Sequence, residues 1–529
     1  MTRRPFPRLT RDARGSILPM VGVLLGLFCG LMALTFDTGR LGVTHSELQG
    51  YADHVALAAA GELDLRPDSI DRATAAAAAM VSDYSTYGDG GRDFETGDYT
   101  LTFYSTLPAS DTDAVTATTT DPTRARYVGV QLDVFDAGFS FGRAFTQLTG
   151  QADLNTFTSA GAVAGMTQYA CDITPLMFCI PAADPVTGAL WRADDNIGQM
   201  IHLRDTGNEA WGPGNFGFLA SDDIIFDDEG PCAEENSVAG EMRCMVGARE
   251  GVTQCFAQNG VNSEPGQNVG IFDYAFNTRF DMYQGAMSQK RNDPAYAPAP
   301  NVVKGVISGT GNQCIGNNTD PSNAAKLPWD NCLITGSCDF DLDGLADPYG
   351  DGTWNDAAYV AQNHGLVDPR DTYGFDPLDP KEGKYIGTRW EMYVAETKMN
   401  EAHALAVAQA QQNGTTAPLT GSPLIDGLLQ ETVQGQCSAN VAPEPERRVI
   451  YVAAVNCDPD AGGTEIVGRT NDVPVHDYVK IFLTEPVSSS ATTPRVLSIY
   501  GEVLGSAGGS GGGTGSVGGT YRDVVQLYR

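Results

Sequence analysis

The chain has 529 residues, 42% of them hydrophobic, and a formal net charge of −33 at pH 7. A surface this acidic repels phosphate backbones, so the composition argues against nucleic-acid binding. The apolar fraction is enough for a packed core, which excludes a fully disordered chain, and the length allows an anchor and one or more domains.

Residues 1–15 form a basic stub in front of an apolar segment. Ile17–Phe36 contains no charged residue, and as a helix it would span roughly 30 Å, the hydrocarbon thickness of a bilayer. We predict a transmembrane helix over residues 16–36, with its N-terminus in the cytoplasm because basic residues stay inside. A cleaved signal peptide is the alternative, but its apolar stretch is shorter and ends in small residues at a cleavage site.

Apolar residues continue at helical spacing after this segment. They are Leu41, Leu48, Ala52, Val55 and Ala59. The stripe predicts that the helix continues through about Leu63 and is followed by a second helix from about Ser69 to Tyr84. Residues 37–85 are therefore expected to be a helical extension, whose alanine-rich part allows close approach of a partner helix or of the domain itself.

A group of residues at fixed offsets flanks the apolar segment. They are Gly15, Asp37, Gly39, Arg40, Leu48, Gln49, Ala52 and Asp53. The pattern resembles the N-terminal segment of TadG-like proteins of the Tad (Flp) pilus assembly system, and it covers only the start of the chain. The resemblance implies a membrane anchor, pilus assembly as the function, and other pilus-assembly proteins as partners.

Two features differ from related families. Some TadG proteins carry a von Willebrand A-type domain, but its Asp-x-Ser-x-Ser metal motif does not occur in this sequence. Processed pilins usually carry Glu five residues into the mature helix, and cleavage after Gly15 would place Met20 there. The resemblance therefore implies a retained anchor and not a fibre subunit.

Ten of the eleven cysteines lie after the apolar segment. They are Cys171, Cys179, Cys232, Cys244, Cys255, Cys314, Cys332, Cys338, Cys437 and Cys457. No CxxC pair occurs, so we interpret them as up to five disulfides formed in an oxidising compartment, with reduced thiols of a cytosolic protein as the alternative. Cys171 and Cys179 could close one loop, or each could have a separate partner.

Residues 86–529 are expected to form an α+β domain with long loops at about 180–440 and strands at about 449–529. A helix is predicted over Trp390–Gln411, with Met392, Met399 and Leu405 on a buried face. Strands are predicted over Tyr99–Ser105, Tyr127–Phe135, Val449–Val455, Tyr478–Leu483, Val496–Val503 and Asp523–Tyr528. Gly505–Gly519 is interpreted as a hairpin loop between the last two strands.

Carboxylates alternate along one short segment, as in a calcium-binding loop. They are Asp339, Asp341, Asp343 and Asp347, with Gly344 at the position of a sharp turn. Hard oxygen ligands at this spacing indicate a structural calcium ion, although the glutamate that ends an EF-hand loop is missing. A solvated acidic turn is the alternative.

Evidence for an enzyme is weak. Gly138-Phe139-Ser140-Phe141-Gly142 fits the GxSxG nucleophile pattern, but its phenylalanines also suit a buried amphipathic segment. A serine hydrolase would need histidine and acidic partners from elsewhere in the fold. The sequence contains no HExxH or Walker A motif. We expect no catalysis and no small-molecule substrate.

The sequence as a whole predicts an α+β protein: an N-terminal transmembrane helix with a helical extension, then a large, loop-rich, disulfide-stapled domain with a mixed or antiparallel sheet. The predicted location is the bacterial inner membrane, with the large domain periplasmic or surface-directed. The predicted function is structural, in assembly of a Tad (Flp) pilus. A membrane-anchored, calcium-dependent adhesin is the alternative, and an envelope hydrolase is a third candidate.

Overall fold

The computed structural model of the protein describes most of the chain. The described residues are 17–64, 68–80, 83–108, 110, 113–149, 156–171, 173–184, 188–204, 211–220, 231–232, 235, 237–249, 255–257, 260–264, 269–305, 323–339, 347–380, 382–433, 437–489, 496–507 and 521–528. The chain divides into two compact units, a first unit of Met1–Thr167 with Asp523–Arg529 and a second unit of Gln168–Arg522.

The first unit contains one very long helix, two shorter helices and a sheet. The helices are α1 (Ile17–Ala60), α2 (Ser69–Ala79) and α3 (Ser140–Thr149). The strands are β1 (Tyr84–Ser85), β2 (Arg92–Asp93), β3 (Tyr99–Tyr104), β4 (Tyr127–Leu132), β5 (Phe135–Asp136), β6 (Phe157–Thr158) and β7 (Gly161–Cys171). The predicted helical extension is confirmed, although α1 and α2 both end a few residues earlier than expected.

The core of the first unit lies between α1 and an antiparallel sheet. Strand β4 pairs with β3 on one side, where Val130 faces Leu101, and with β7 on the other. Leu48 and Val55 of α1 are fully buried in the same cluster as Val130. The apolar stripe predicted on α1 is therefore the face that packs on the domain, because its seven-residue spacing returns to one side of the helix.

The second unit contains the remaining elements, except for the last strand. The strands are β8 (Leu176–Cys179), β9 (Met200–Arg204), β10 (Phe216–Leu219), β11 (Cys255–Ala257), β12 (Ser263–Glu264), β13 (Val449–Val455), β14 (Val475–Leu483), β15 (Ser488–Ser489) and β16 (Leu497–Ser506). The helices are α4 (Val238–Gly247), α5 (Val269–Asn277), α6 (Asn331–Thr335), α7 (Asp356–Asn363), α8 (Arg370–Tyr373) and α9 (Arg389–Asn413).

A mixed sheet forms the centre of the second unit. Its strand order is β12–β10–β8–β13–β14–β16–β15, and β9 also pairs with β16. Strands β8 and β13 are parallel, whereas β13, β14 and β16 pair antiparallel. The prediction of a mixed sheet with long loops and disulfides is confirmed. Val452 and Val479 of the central strands are fully buried, as near-continuous apolar strands require.

Helix α9 packs on this sheet through its first half. Trp390 and Tyr393 lie against Phe482 of β14, with ring centroids 5.2 and 5.0 Å apart. Met392 and Met399 are buried as predicted, but Leu405 is 65% exposed, so the prediction of a buried Leu405 is wrong. After Met399, Ala410 is the one buried residue of α9, so the alanine-rich second half of the helix is largely open to solvent.

The last strand, β17 (Tyr521–Leu527), pairs with β7 and not with β16. The expected hairpin across Gly505–Gly519 is therefore wrong, although most of that segment lies outside the described residues. The reason is the occupancy of strand edges: β16 already pairs with β14 and β15 on one side and with β9 on the other. The free edge was on β7, where Tyr528 donates its backbone N–H to Val163.

Candidate functional site in the anchor helix and its contacts

Helix α1 has two parts with opposite environments. In its first part the apolar side chains are exposed, for example Leu18 at 82% and Leu27 at 62%, whereas Leu48, Tyr51 and Val55 in the second part have no exposed surface. Among the described residues, α1 is the one helix that is long and apolar enough to cross a membrane by length and composition. An apolar surface of this extent is unusual in a soluble monomer and is typical of a membrane interaction site.

Asp37 connects the two parts of α1 to helix α3. Its carboxylate is buried and accepts hydrogen bonds from the backbone N–H groups of Ser140, Phe141 and Gly142, at 3.1, 3.3 and 2.6 Å. These are the first amides of α3, which have no partner inside their own helix. Asp37 therefore caps α3 from 103 residues away in sequence, and its negative charge faces the positive end of the helix dipole.

Arg40, one turn further along α1, holds the same corner. It donates to the Ser140 hydroxyl oxygen at 2.7 Å, and its guanidinium lies 4.8 Å from the centre of the Tyr87 ring. In the sequence, Asp37 and Arg40 belong to the pattern that flanks the apolar segment and lie just after its last residue, Phe36. The structure gives them a specific task in addition: together they fasten α3 to α1, which we call the α3 latch.

The middle of the family pattern contacts the sheet. Gln49 donates to the Asp53 carboxylate at 2.8 Å and to the Gly161 carbonyl at 3.2 Å, so this pair fixes the helix against the start of β7. Tyr51 stacks on Phe94 with ring centroids 4.2 Å apart, and burial raises the pKa of Tyr51 to about 12. The motif residues thus serve the packing of α1 on its own domain.

The glycines differ from these packed residues, because no neighbouring atom fills the space beside them. Gly39 has no atom within 4 Å of where a Cβ would lie, and the same is true of Gly22, Gly26 and Gly30 in the exposed apolar segment. The last three recur every fourth residue, which allows close approach of another helix in a membrane. Gly15 lies outside the described residues.

Ser140, the centre of the GxSxG pattern, is the first residue of α3. Its backbone N–H donates to Asp37 and its hydroxyl accepts from Arg40. A guanidinium stays protonated and cannot accept the serine proton, so these contacts do not activate a nucleophile. In this fold, the pattern marks the start of a helix that a distant carboxylate caps.

A Ser–His–Glu arrangement does exist in the second unit, which the sequence did not indicate. His364 lies 2.7 Å from the Ser422 hydroxyl through Nδ1 and 2.7 Å from the Glu396 carboxylate through Nε2. Tyr359 also donates to Glu396, at 2.7 Å. All four side chains are buried, so no substrate can reach the serine, and the group works as a satisfied polar network of the core.

Only part of the predicted calcium loop can be located. Asp341 and Asp343 lie outside the described residues, and the backbone N–H of Asp347 donates to the Cys338 carbonyl at 2.9 Å, which brings the two ends of the segment from Asp339 together. Within the described part of the chain, no three His, Cys, Asp or Glu side chains are grouped to hold a metal ion. The calcium site stays a prediction.

Disulfides join three cysteine pairs in the described residues: Cys179–Cys457, Cys232–Cys244 and Cys332–Cys338. Cys437 is disulfide-bonded as well. The prediction of a disulfide-stapled domain is confirmed for these residues, and Cys179 takes the distant partner and not Cys171. The last residues of β7, from Gln168 onward, belong to the second unit, where Cys171 pairs directly opposite Cys255 of β11. Cys314 lies outside the described residues.

Comparison with known proteins identifies the N-terminal segment. Residues 15–62 match the family model described as "Putative Flp pilus-assembly TadE/G-like". This match confirms the resemblance and covers α1 with its latch residues. A search of curated proteins and a search of solved structures each gave no match.

Proposed function

We propose that this protein is a structural component of a Tad (Flp) type pilus assembly apparatus, anchored by a single helix in a bacterial inner membrane. Its two units would lie on the outer side, in the oxidising compartment that the disulfides require. The observation that carries the proposal is the TadE/G-like match at residues 15–62, which coincides with a helix that is exposed and apolar at one end and buried in a domain at the other.

The proposed mechanism is positional and not catalytic. Helix α1 runs for 44 residues without interruption, which corresponds to roughly 66 Å. Because the buried half is fixed by the sheet and by the α3 latch, any displacement of the membrane segment moves the first unit with it. The protein would therefore hold its exported domain at a set distance and orientation for the pilus machinery.

Contact with other assembly proteins would use the open side of the membrane segment. Gly22, Gly26 and Gly30 leave space for a second helix, and close backbone contact supplies much of the association energy in lipid. We expect Gly26→Leu to reduce co-purification with pilus-assembly partners from detergent-solubilised membranes. The matched control is Phe28→Leu, about 200° around the helix, which keeps the apolar character and should leave the complex intact. Equal recovery of partners from both variants would contradict helix docking.

Deletion of the gene tests the function as a whole. Loss of surface pili, with recovery on expression of the wild-type chain, is expected from the proposal. Protease added to spheroplasts should digest the two units and spare a fragment containing residues 17–36. If piliation is normal but surface attachment is lost, the adhesin alternative is correct and the proposal fails.

A further inference from the structure

We propose that helix α3 lies on the outer surface of the membrane, with its Phe141 side in the boundary between lipid headgroups and acyl chains. The inference rests on the proposed anchoring through residues 17–36. It goes beyond that anchoring because it assigns a second membrane contact, made by a helix more than 100 residues later in the chain.

The depth of α3 follows from its contacts with α1. Phe36 is the last residue of the uncharged segment, and its ring packs edge-on against Phe141 with centroids 5.5 Å apart. The next residue, Asp37, accepts hydrogen bonds from the first amides of α3. Helix α3 therefore begins at the level where the apolar segment ends, which is the interface of the bilayer.

Apolar and charged side chains lie on different sides of α3, as in a helix at a membrane interface. Phe141 is 49% exposed beside Phe36, which is 51% exposed, so two aromatic rings are open to solvent at this level. In the sequence, Phe145 and Leu148 follow Phe141 by four and seven residues, which is the spacing of an apolar stripe along a helix. Arg143, about 200° around from Phe141, has a side chain that is 61% exposed.

The latch prevents α3 from turning this apolar side toward its own domain. Asp37 holds the first turn, and Thr146, on a third side of the helix, is buried. Lipid is the occupant that the position selects, because the apolar side is continuous with the segment that the proposed anchoring places among acyl chains. Burial of a phenylalanine ring in that boundary is favourable, which supports a stable orientation.

Photo-crosslinking tests the inference in the full-length chain. The photoreactive residue p-benzoyl-L-phenylalanine replaces Phe141, Leu27 or Arg143, and each protein is reconstituted into vesicles of phosphatidylethanolamine and phosphatidylglycerol that contain an alkyne-tagged phospholipid. Leu27 lies in the middle of the apolar segment and reports the anchor, and Arg143 is the matched control on the same helix. Lipid adducts are counted by mass spectrometry after irradiation.

We expect strong lipid labelling at position 27, and labelling at position 141 several-fold above that at position 143. Labelling at 27 with equal, low labelling at 141 and 143 overturns the inference and leaves the anchor proposal standing. Failure to label at 27 overturns both. A crosslink from 141 to a second copy of the chain in place of lipid also overturns the inference, since it assigns this face to protein.

Discussion

Removal of the Asp37 carboxylate should release α3 from α1 without unfolding the rest of the first unit. The carboxylate accepts three backbone N–H groups at the start of α3 and is 3% exposed. In Asp37→Ala these amides lose their acceptor and the helix dipole loses its counter-charge. The contact between Phe36 and Phe141 depends on the same docking.

The free-energy cost of Asp37→Ala combines three contributions that overlap. Loss of a capping side chain costs about 0.5–2 kcal/mol, and loss of a charge at a partly buried helix N-terminus costs up to about 2 kcal/mol. Buried amides without a partner add about 1–3 kcal/mol, but α3 can open and hydrate them, which removes much of this penalty. We therefore expect about 2 kcal/mol, which corresponds to about a 30-fold increase in the local opening of α3.

Hydrogen exchange with mass spectrometry on the protein in nanodiscs is the assay. Amides of residues 140–149 should exchange about 30-fold faster in Asp37→Ala, with little change in α1 or β4. Asp37→Asn keeps one acceptor oxygen but no charge, so its amide exchange rates in α3 should lie between those of the wild type and those of Asp37→Ala. Glu401→Ala, at an exposed carboxylate of α9, is the control and should match the wild type. The reasoning is refuted if α3 is unaffected, or if α1, β4 and α3 all lose protection equally.

Four further outcomes are expected. Deletion of residues 521–529 removes the strand beside β7. The melting temperature of the first unit should fall, whereas that of the second unit should stay the same. Equal protease sensitivity of the full-length and truncated chains would contradict this. Cys457→Ser opens a link across 278 residues and should destabilise the second unit by more than Cys332→Ser, whose loop spans 6 residues. The chain-entropy model gives roughly 6 against 2 kcal/mol, which calorimetry can measure. Burial raises the pKa of Asp477 to about 6, above its value of about 4 in an unfolded chain, so the stability that the protonated group confers is complete below about pH 4 and is lost as the pH rises from about 4 through 6. Asp477→Asn should therefore match the wild type at pH 4 and exceed it by about 1–3 kcal/mol at pH 8 in urea titrations, and a constant difference across that range argues against it. Millimolar calcium should raise the melting temperature of the wild type but not of Asp341→Asn, and calorimetric titration without heat would leave the acidic turn as the better interpretation.

The helix that carries the site could be predicted from the sequence, because the residues that define it are close together in the chain. The apolar run Ile17–Phe36 and the stripe through Leu48 and Val55 are written in consecutive turns of one helix, so their spacing alone indicates a helix with an exposed end and a packed side. The family pattern added Asp37 and Arg40 as residues of interest. Neither observation said what these two side chains touch.

The α3 latch could not be predicted for a physical reason. Asp37 and Ser140 meet only because β4 and β5 bring the chain back to α1, and no spacing rule relates residues 103 positions apart. In the sequence, the segment around Ser140 suggested a nucleophile pattern. In the fold, the same glycine and serine mark a helix start whose amides need an acceptor.

By itself, the sequence determined the local elements: the anchor helix, its packed stripe, most strands and the disulfide character of the exported part. Tertiary structure decided the pairings: β17 with β7, Cys179 with Cys457, and Asp37 with α3. The difference between what the sequence determined and what the tertiary structure decided has a single cause. Periodicity is a property of neighbouring residues, whereas strand edges, disulfides and distant caps depend on which groups remain unpaired when the rest of the chain has folded.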